Sequence, residues 1–335
     1  MTPTARKFSK VLLTLMASAV LAFGLAACSG GSDGDETARE APTAAEFPSA
    51  DGKTIEEFYG EMPETTEMVV SPAALVYDVG ENRVPFGVFD VGGEQVDDAE
   101  VALYFAKTTN SEVMGPLPAK VESLETKPAF RAKGSDGPGE ATTFYVVDEV
   151  DFNRPGPWLA MAVIEGDDGP EVTRLPSPAV GQYPGIPSVG DKAPVVSTPT
   201  AESVGGDLAK IDTRQPPSSM HDSDFKDVVG KEPVLLQFAT PALCQTRVCG
   251  PVVDITEQVK SEFGDQAEFI HSEVYVNNTP PKLRPPLNAF GLESEPWLFL
   301  VGKDGKIQRR VEGPFSVGEL TTWVEELTGD GEPQA

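Results

Sequence analysis

Two cysteines five residues apart carry the most reactive chemistry in this 335-residue sequence. Cys244 and Cys249 stand in the run CQTRVCGPV, residues 244–252. Side chains meet on one helix only when they are three or four residues apart. The two cysteines can therefore form a disulfide if Cys244 lies in a loop. Arg247, between them, would favour the thiolate form of a neighbouring cysteine. The spacing suits a redox-active pair or a disulfide that staples a loop.

The remaining candidate residues are two histidines and one acid. His271 lies inside a predicted strand and could join the two cysteines as a copper ligand, although a hydrogen-bonded core histidine is the commoner use of such a residue. His221 precedes a run of acids and is expected to be exposed. Glu273 could transfer protons near the cysteines or simply end a strand. Zinc sites built from Cys and His sets need more ligands than the chain offers, so no metal and no cofactor is expected.

The third cysteine, Cys28, follows a segment typical of export. Arg6, Lys7 and Lys10 precede an uncharged apolar stretch over 11–25, which is too short for a comfortable membrane span. The sequence LAAC at 25–28 resembles the lipobox of bacterial lipoproteins. That resemblance implies that Cys28 receives a diacylglyceryl group, becomes the mature N-terminus and holds the protein on the extracytoplasmic face of the cell membrane. The alternative is an ordinary secretory signal with an unrelated Cys28.

Composition narrows the classes of partner. The chain has 53 acidic and 26 basic residues, a formal net charge of −27, with 32 glycines and 31 prolines. So negative a chain repels phosphate backbones, which argues against nucleic acid as a partner. Export would also place Cys244 and Cys249 in a compartment where disulfides persist.

Changes in composition along the chain predict a multidomain protein. Short β-rich runs separated by Gly, Pro and Asp predict an all-β sandwich. The run NRPGPW at 153–158, which enters a strand, looks like part of the immunoglobulin-like modules of exported proteins, although no cysteine is available for an inter-sheet disulfide. The expected segments are a signal peptide (1–27), an acidic flexible tether (28–65), the immunoglobulin-like β-sandwich (66–183), a linker (184–200), an α/β domain (189–328) and a disordered tail (329–335).

The α/β domain is predicted from the order of its apolar runs. A buried strand over 234–238 precedes the cysteine loop, and a helix follows Gly250-Pro251. A second strand over 267–276, a hairpin around Asp304-Gly305 and a final helix over 321–327 complete the order β–α–β, hairpin, α.

That order resembles the thioredoxin superfamily, and two further stretches carry the same resemblance. The run VGDKAP at 189–194 looks like the start of exported members, and EPWLFLV at 295–301 looks like the family's cis-proline segment. The resemblance implies a cis bond before Pro296 and a place for this proline beside the active cysteines. The family's Cys-Gly-Pro-Cys motif is changed here, because Val252 replaces the second cysteine.

Two alignments of the cysteines remain. In the favoured one, Cys249 aligns with the family's first cysteine, acts as the nucleophile just before the helix, and Cys244 resolves the mixed disulfide. In the other, Cys244 is the nucleophile, as in some atypical peroxiredoxins. The expected function is a lipid-anchored thiol–disulfide oxidoreductase that acts on an unidentified protein thiol or disulfide. A surface binding lipoprotein with a structural disulfide is the alternative, and a thiol peroxidase is the third.

Overall fold

Two antiparallel β-sheets form the N-terminal half of the protein. The computed structural model describes residues 37–65, 67–133, 140–166, 168–244 and 247–329, all within one compact unit. The strands of this half are β1 (Met68–Pro72), β2 (Val76–Tyr77), β3 (Gly80–Asp90), β4 (Glu100–Ala106), β5 (Met114–Pro118), β6 (Lys120–Ser123), β7 (Thr143–Phe152), β8 (Gly156–Pro157), β9 (Leu159–Gly166), β10 (Gly169–Leu175) and β11 (Ala179–Val180).

The two main sheets pack face to face. Their strand orders are β1-β3-β7-β6 and β10-β9-β4-β5, and β2, β11 and β8 form a small third sheet. Alternate residues of β3, among them Phe86 and Val88, enter a core that they share with Leu103, Phe105 and Ala162 of the second sheet. This alternation is what a strand with one face toward the core requires. The predicted β-sandwich is therefore present in the structure.

The segment before the sandwich differs from the flexible tether predicted over 28–65. Residues 44–46 form a 3₁₀ turn, and α1 (Ile55–Tyr59) begins with a capping box between Thr54 and Glu57. Phe47, Ile55 and Phe58 pack on the outer face of the second sheet. The prediction overlooked these apolar residues, because the surrounding acids and prolines dominated the composition. Residues 1–36, which include the predicted signal peptide and Cys28, lie outside the described residues, as does the tail beyond residue 329.

The C-terminal half has the predicted order of elements. Its elements are α2 (Phe225–Val228), β12 (Val234–Phe238), α3 (Cys249–Phe263), β13 (Glu268–Ser272), α4 (Pro285–Ala289), β14 (Trp297–Val301), β15 (Ile307–Glu312) and α5 (Val317–Thr328). The sheet order is β13-β12-β14-β15, with β12 and β13 parallel and the other pairs antiparallel. Helix α3 makes the crossover between the two parallel strands. The β–α–β, hairpin and final helix of the thioredoxin-like arrangement are therefore present.

The two halves share one apolar core. Leu124, Phe144 and Val146 of the sandwich belong to the same buried cluster as α3 and α5. The first half of strand β7, residues 143–147, is thus buried on both faces, since Tyr145 and Val147 point into the sandwich core instead. Burial of this kind stabilises by roughly 25 cal/mol per Å² of apolar surface removed from water.

Polar contacts reinforce the same interface. The guanidinium of Arg83 donates to both carboxylate oxygens of Glu319 at 2.7 and 2.9 Å. The carboxylate of Glu312 accepts hydrogen bonds from the backbone amides of Leu75 and Val76, both at 2.9 Å. The predicted linker is also held in place, because the Ala193 amide donates to the Gly305 carbonyl at 3.0 Å. No helix among the described residues has both the length and the apolar character needed to cross a bilayer.

Candidate active site

Cys244 and Cys249 form a disulfide at the amino end of α3. Their Cα atoms are 5.9 Å apart, which lies inside the range that a disulfide bridges. Cys249 is the first residue of α3, so it lies where unpaired backbone amides and the positive end of the helix dipole favour a thiolate. Cys244 lies in the loop after β12, as the spacing required. Arg247 is exposed and has a positive φ of 60°.

The two cysteines differ in exposure. Cys249 is 0% exposed and packs among Leu124, Phe144 and α3 residues, whereas Cys244 is half-buried. The Ala141 amide of the sandwich also donates to the carbonyl of Arg247 at 3.3 Å. The sequence favours Cys249 as the nucleophile, but in the disulfide form the cysteine nearer to solvent is Cys244.

Pro296 lies beside the loop that leads to Cys244. The Glu295–Pro296 peptide bond is cis, as predicted. The next residue, Trp297, pairs with Phe238, the last residue of β12. Pro296 and the start of the cysteine loop therefore lie at the same end of the paired central strands β12 and β14.

Two carboxyl groups are connected to the cysteine loop by hydrogen bonds, that of the half-buried Glu295 directly and that of Glu273 through Thr213. Glu295 accepts hydrogen bonds from the backbone and side chain of Thr240, and Thr240 is fully buried. Glu273, also fully buried, accepts from the Thr213 hydroxyl at 2.8 Å. That hydroxyl in turn accepts the Ala242 amide at 3.1 Å. Glu295 thus contacts the loop at Thr240, four residues before Cys244. Glu273 is linked through Thr213 to Ala242, two residues before Cys244.

The pKa values of these two carboxyl groups are raised. Burial raises the pKa of Glu295 to about 7, against the opposing effect of the Thr240 hydrogen bonds. Burial also raises the pKa of Glu273, while the charge of His271 and the Thr213 hydrogen bonds act in the opposite direction. Perturbed ionisable groups of this kind concentrate at functional sites, although structural networks produce them too.

A second polar cluster lies deeper, at Asp212, His221 and His271. Their side chains are 3%, 2% and 0% exposed. His271 is the hydrogen-bonded core histidine that the sequence favoured, since its Nε2 donates to the Ala239 carbonyl at 2.9 Å. The expectation that His221 is exposed is wrong, because its Nε2 donates to Asp212 at 2.8 Å. Neither cysteine belongs to a group of potential metal ligands among the described residues, so the structure does not bring His271 into a copper site with them.

The charges within this cluster compensate one another. Burial opposes ionisation of Asp212, but His271 and His221 hold its pKa well below the usual range. Burial likewise opposes the charged form of His271, yet Asp212 raises its pKa to about 9. Burial lowers the pKa of His221, and the neighbouring His271 charge acts in the same direction.

A buried ion pair connects α3 to its surroundings. The Arg214 Nε donates to Asp254 of α3 at 2.7 Å, with 5% and 2% of the two side chains exposed. Other nitrogens of Arg214 donate to the carbonyls of Phe130 and Pro216, and the Ala132 amide donates to Asp254 at 2.8 Å. Sequence analysis missed these residues and Glu295. For Glu295 a signal existed, since it directly precedes the proline predicted to be cis.

Comparisons with known proteins give structural similarities alone. No protein-family model matches the chain, and no curated protein matches it. The chain is similar to a structure described as a thiol:disulfide interchange protein DsbE from Chlorobium tepidum, with 15% identity and a TM-score of 0.31, covering 43% of this chain and 99% of that one. It is also similar to a thiol:disulfide interchange protein of the thioredoxin family from Chlorobium tepidum TLS, with 16% identity and a TM-score of 0.29, covering 42% and 99%.

Replacing Glu295 by Gln should stabilise the protein in a pH-dependent way. The folded protein keeps the Glu295 proton up to about pH 7, whereas the unfolded chain releases it near 4.5. The carboxyl group therefore costs folded-state stability as pH rises through this window. At pH 8 we expect Glu295→Gln to raise the free energy of unfolding by about 1–3 kcal/mol, and at pH 5 by less than half as much.

Urea unfolding at pH 5 and pH 8 measures this difference. Glu293→Gln is the matched control, because Glu293 is exposed two residues away and its replacement makes the same change of charge. A gain for Glu295→Gln that is equal at both pH values, or a gain matched by the control, would contradict the assigned burial effect.

Proposed function

We propose that the protein is an exported, lipid-anchored thiol–disulfide oxidoreductase that acts through Cys244 and Cys249. The observation that carries the proposal is a disulfide at the amino end of α3 whose loop is hydrogen-bonded directly to Glu295 and, through the Thr213 hydroxyl, to Glu273. Burial raises the pKa values of both carboxyl groups. A disulfide that only staples a loop needs neither carboxyl group, and each costs stability when buried. The partner is a protein dithiol or disulfide.

The chemical step follows from the exposure of the two sulfurs. A partner thiolate attacks the sulfur of Cys244, the S–S bond breaks, and Cys249 leaves as a thiolate stabilised at the helix amino end. A second partner thiolate then attacks the mixed disulfide and releases Cys244. The partner dithiol is oxidised to a disulfide, and two electrons reduce the cysteine pair. The proposal assigns the first contact to Cys244, in place of the Cys249 that the sequence favoured.

The role proposed for the N-terminal half is that of an immunoglobulin-like module that holds the redox domain. The sheet orders β1-β3-β7-β6 and β10-β9-β4-β5 support this assignment, because immunoglobulin constant domains place their strands in the orders ABED and CFG. Strand β5 would be one addition to the second sheet. Trp158, buried in the sandwich core just after β8, supports the same assignment.

Single-cysteine variants test the proposed exchange. In a Cys28→Ser background, we expect the wild-type Cys244–Cys249 disulfide to oxidise a model protein dithiol, and either Cys244→Ser or Cys249→Ser to abolish this oxidation. When mixed with a disulfide probe, Cys249→Ser should trap a mixed disulfide through the accessible Cys244. The buried Cys249 of Cys244→Ser should trap at least tenfold less, since reactivity requires access as well as thiolate character.

Mass spectrometry of the trapped adducts gives the result. Preferential trapping on Cys249 would contradict the assignment of Cys244. Inactive wild-type protein together with no trapping by either variant would refute exchange altogether.

A static disulfide is the second candidate, and one observation favours it. Cys249 is completely buried in the core shared with the sandwich, which is typical of inert structural cysteines. In that case the protein would be a surface binding lipoprotein in which the disulfide closes the loop between β12 and α3.

The proposed membrane anchor is tested separately. In a bacterial host that processes lipoproteins, the wild-type protein should partition with membranes and enter the detergent phase. Cys28→Ala should move it to the soluble fraction, because the substitution removes the residue that would carry the acyl chains, and stable anchoring depends on those chains. Equal partitioning of both proteins would contradict lipidation at Cys28 and leave the exchange chemistry untouched.

A further inference from the structure

Four buried donor groups converge between the loop over 211–221 and strand β13. They are the side chains of Asp212, Ser218, His221 and His271. The most exposed of them, Asp212, is only 3% exposed. One potential ligand atom from each of Asp212, His221 and His271 lies within 4.8 Å of the others. The cluster thus brings two imidazoles and a carboxylate together out of contact with water.

The distances between these atoms are close to those of a tetrahedral metal site. Asp212 Oδ2 is 2.8 Å from His221 Nε2 and 3.5 Å from His271 Nδ1. Ser218 Oγ is 3.2 Å from each of the same two nitrogens. Ligand atoms at about 2.0–2.1 Å from a tetrahedral ion lie about 3.3 Å from one another. An ion could therefore enter if the shortest of these distances, 2.8 Å between Asp212 and His221, widened by about 0.5 Å.

The orientation of His271 suits a metal ligand. Its Nε2 donates to the Ala239 carbonyl at 2.9 Å, which leaves Nδ1 as the nitrogen that faces Asp212 and Ser218. Imidazole ligands usually donate their second nitrogen to a carbonyl or carboxylate in this way. Asp212 is fixed as well, because its Oδ1 accepts the Arg214 amide at 2.8 Å. His221 Nδ1 has no hydrogen-bond partner among the described residues, so only one of the two imidazoles has this support.

We propose that Asp212, His221 and His271, with Ser218 as the fourth donor, bind one divalent transition-metal ion. Zinc fits two imidazole nitrogens and a carboxylate in tetrahedral geometry. Because all four donor side chains are buried, the ion would have a structural role. It would link the loop over 211–221 to β13. This site uses neither cysteine and is independent of the proposed exchange reaction.

The composition of the chain makes this proposal easy to test. The protein contains two histidines in total, and both belong to this cluster. Any metal binding that depends on imidazole in a protein without a histidine tag must therefore occur here. Keeping the disulfide oxidised removes the thiolates of Cys244 and Cys249 from consideration.

The experiment measures zinc content and cobalt absorption of the untagged, oxidised full chain after dialysis. We expect one equivalent of Zn²⁺, and a visible absorption spectrum of tetrahedral Co²⁺ after exchange. Both should be lost in His221→Asn and retained in Asp222→Asn, which removes an exposed carboxylate (85% of its side chain) in the same region. For the wild-type protein, Zn²⁺ at about 100 times its dissociation constant should raise Tm by about 4 °C relative to the chelator-treated protein.

The wild-type comparison of Tm needs no variant, so it remains informative if His221→Asn fails to fold. Absence of retained zinc together with an unchanged Tm would overturn the proposal. Equal zinc binding by folded His221→Asn would overturn it too, because the metal would then be held by surface carboxylates.

Discussion

The packing of α3 and α5 against the outer face of β7 is the contact on which the rest of the architecture depends. Phe144 and Val146 of β7, together with Leu124, belong to the same buried cluster as Cys249 and the apolar residues of the two helices. The same strand turns Tyr145 and Val147 into the sandwich core. One strand therefore connects two apolar cores, and neither half could separate without exposing apolar surface of both.

This arrangement constrains the chemistry of the cysteines. In placing Cys249 beneath the sandwich, it excludes water from one sulfur and leaves Cys244 as the half-buried one. The carboxyl groups of Glu273 and Glu295 lie behind the cysteine loop in surroundings that favour their neutral forms. The disulfide and the hydrogen bonds thus connect the cysteine loop, the amino end of α3 and the carboxyl groups of Glu273 and Glu295.

Local sequence patterns predicted most of the helices and strands. They did not predict side-chain contacts between residues that are distant in the sequence. The run over 234–238 is apolar throughout and forms the central strand β12, and the bond before Pro296 is cis as the resemblance implied. The capping pattern at Thr54 and Glu57 was available, but acidic composition outweighed it. The burial of His221 had no local signal, because its neighbour His271 comes from a strand fifty residues later. The ion pair of Arg214 and Asp254 likewise depends on a contact that only the folded chain creates.

The reduction potential of the Cys244–Cys249 pair tests the central claim most directly. It should be measured on the whole chain with Cys28→Ser, because the α/β half shares its core with the sandwich. Equilibration with glutathione or dithiothreitol buffers, followed by alkylation and mass spectrometry, gives the ratio of oxidised to reduced protein. If the pair exchanges with cellular dithiols, its potential should lie above about −300 mV. A potential well below that value would identify a structural disulfide and contradict the proposed function.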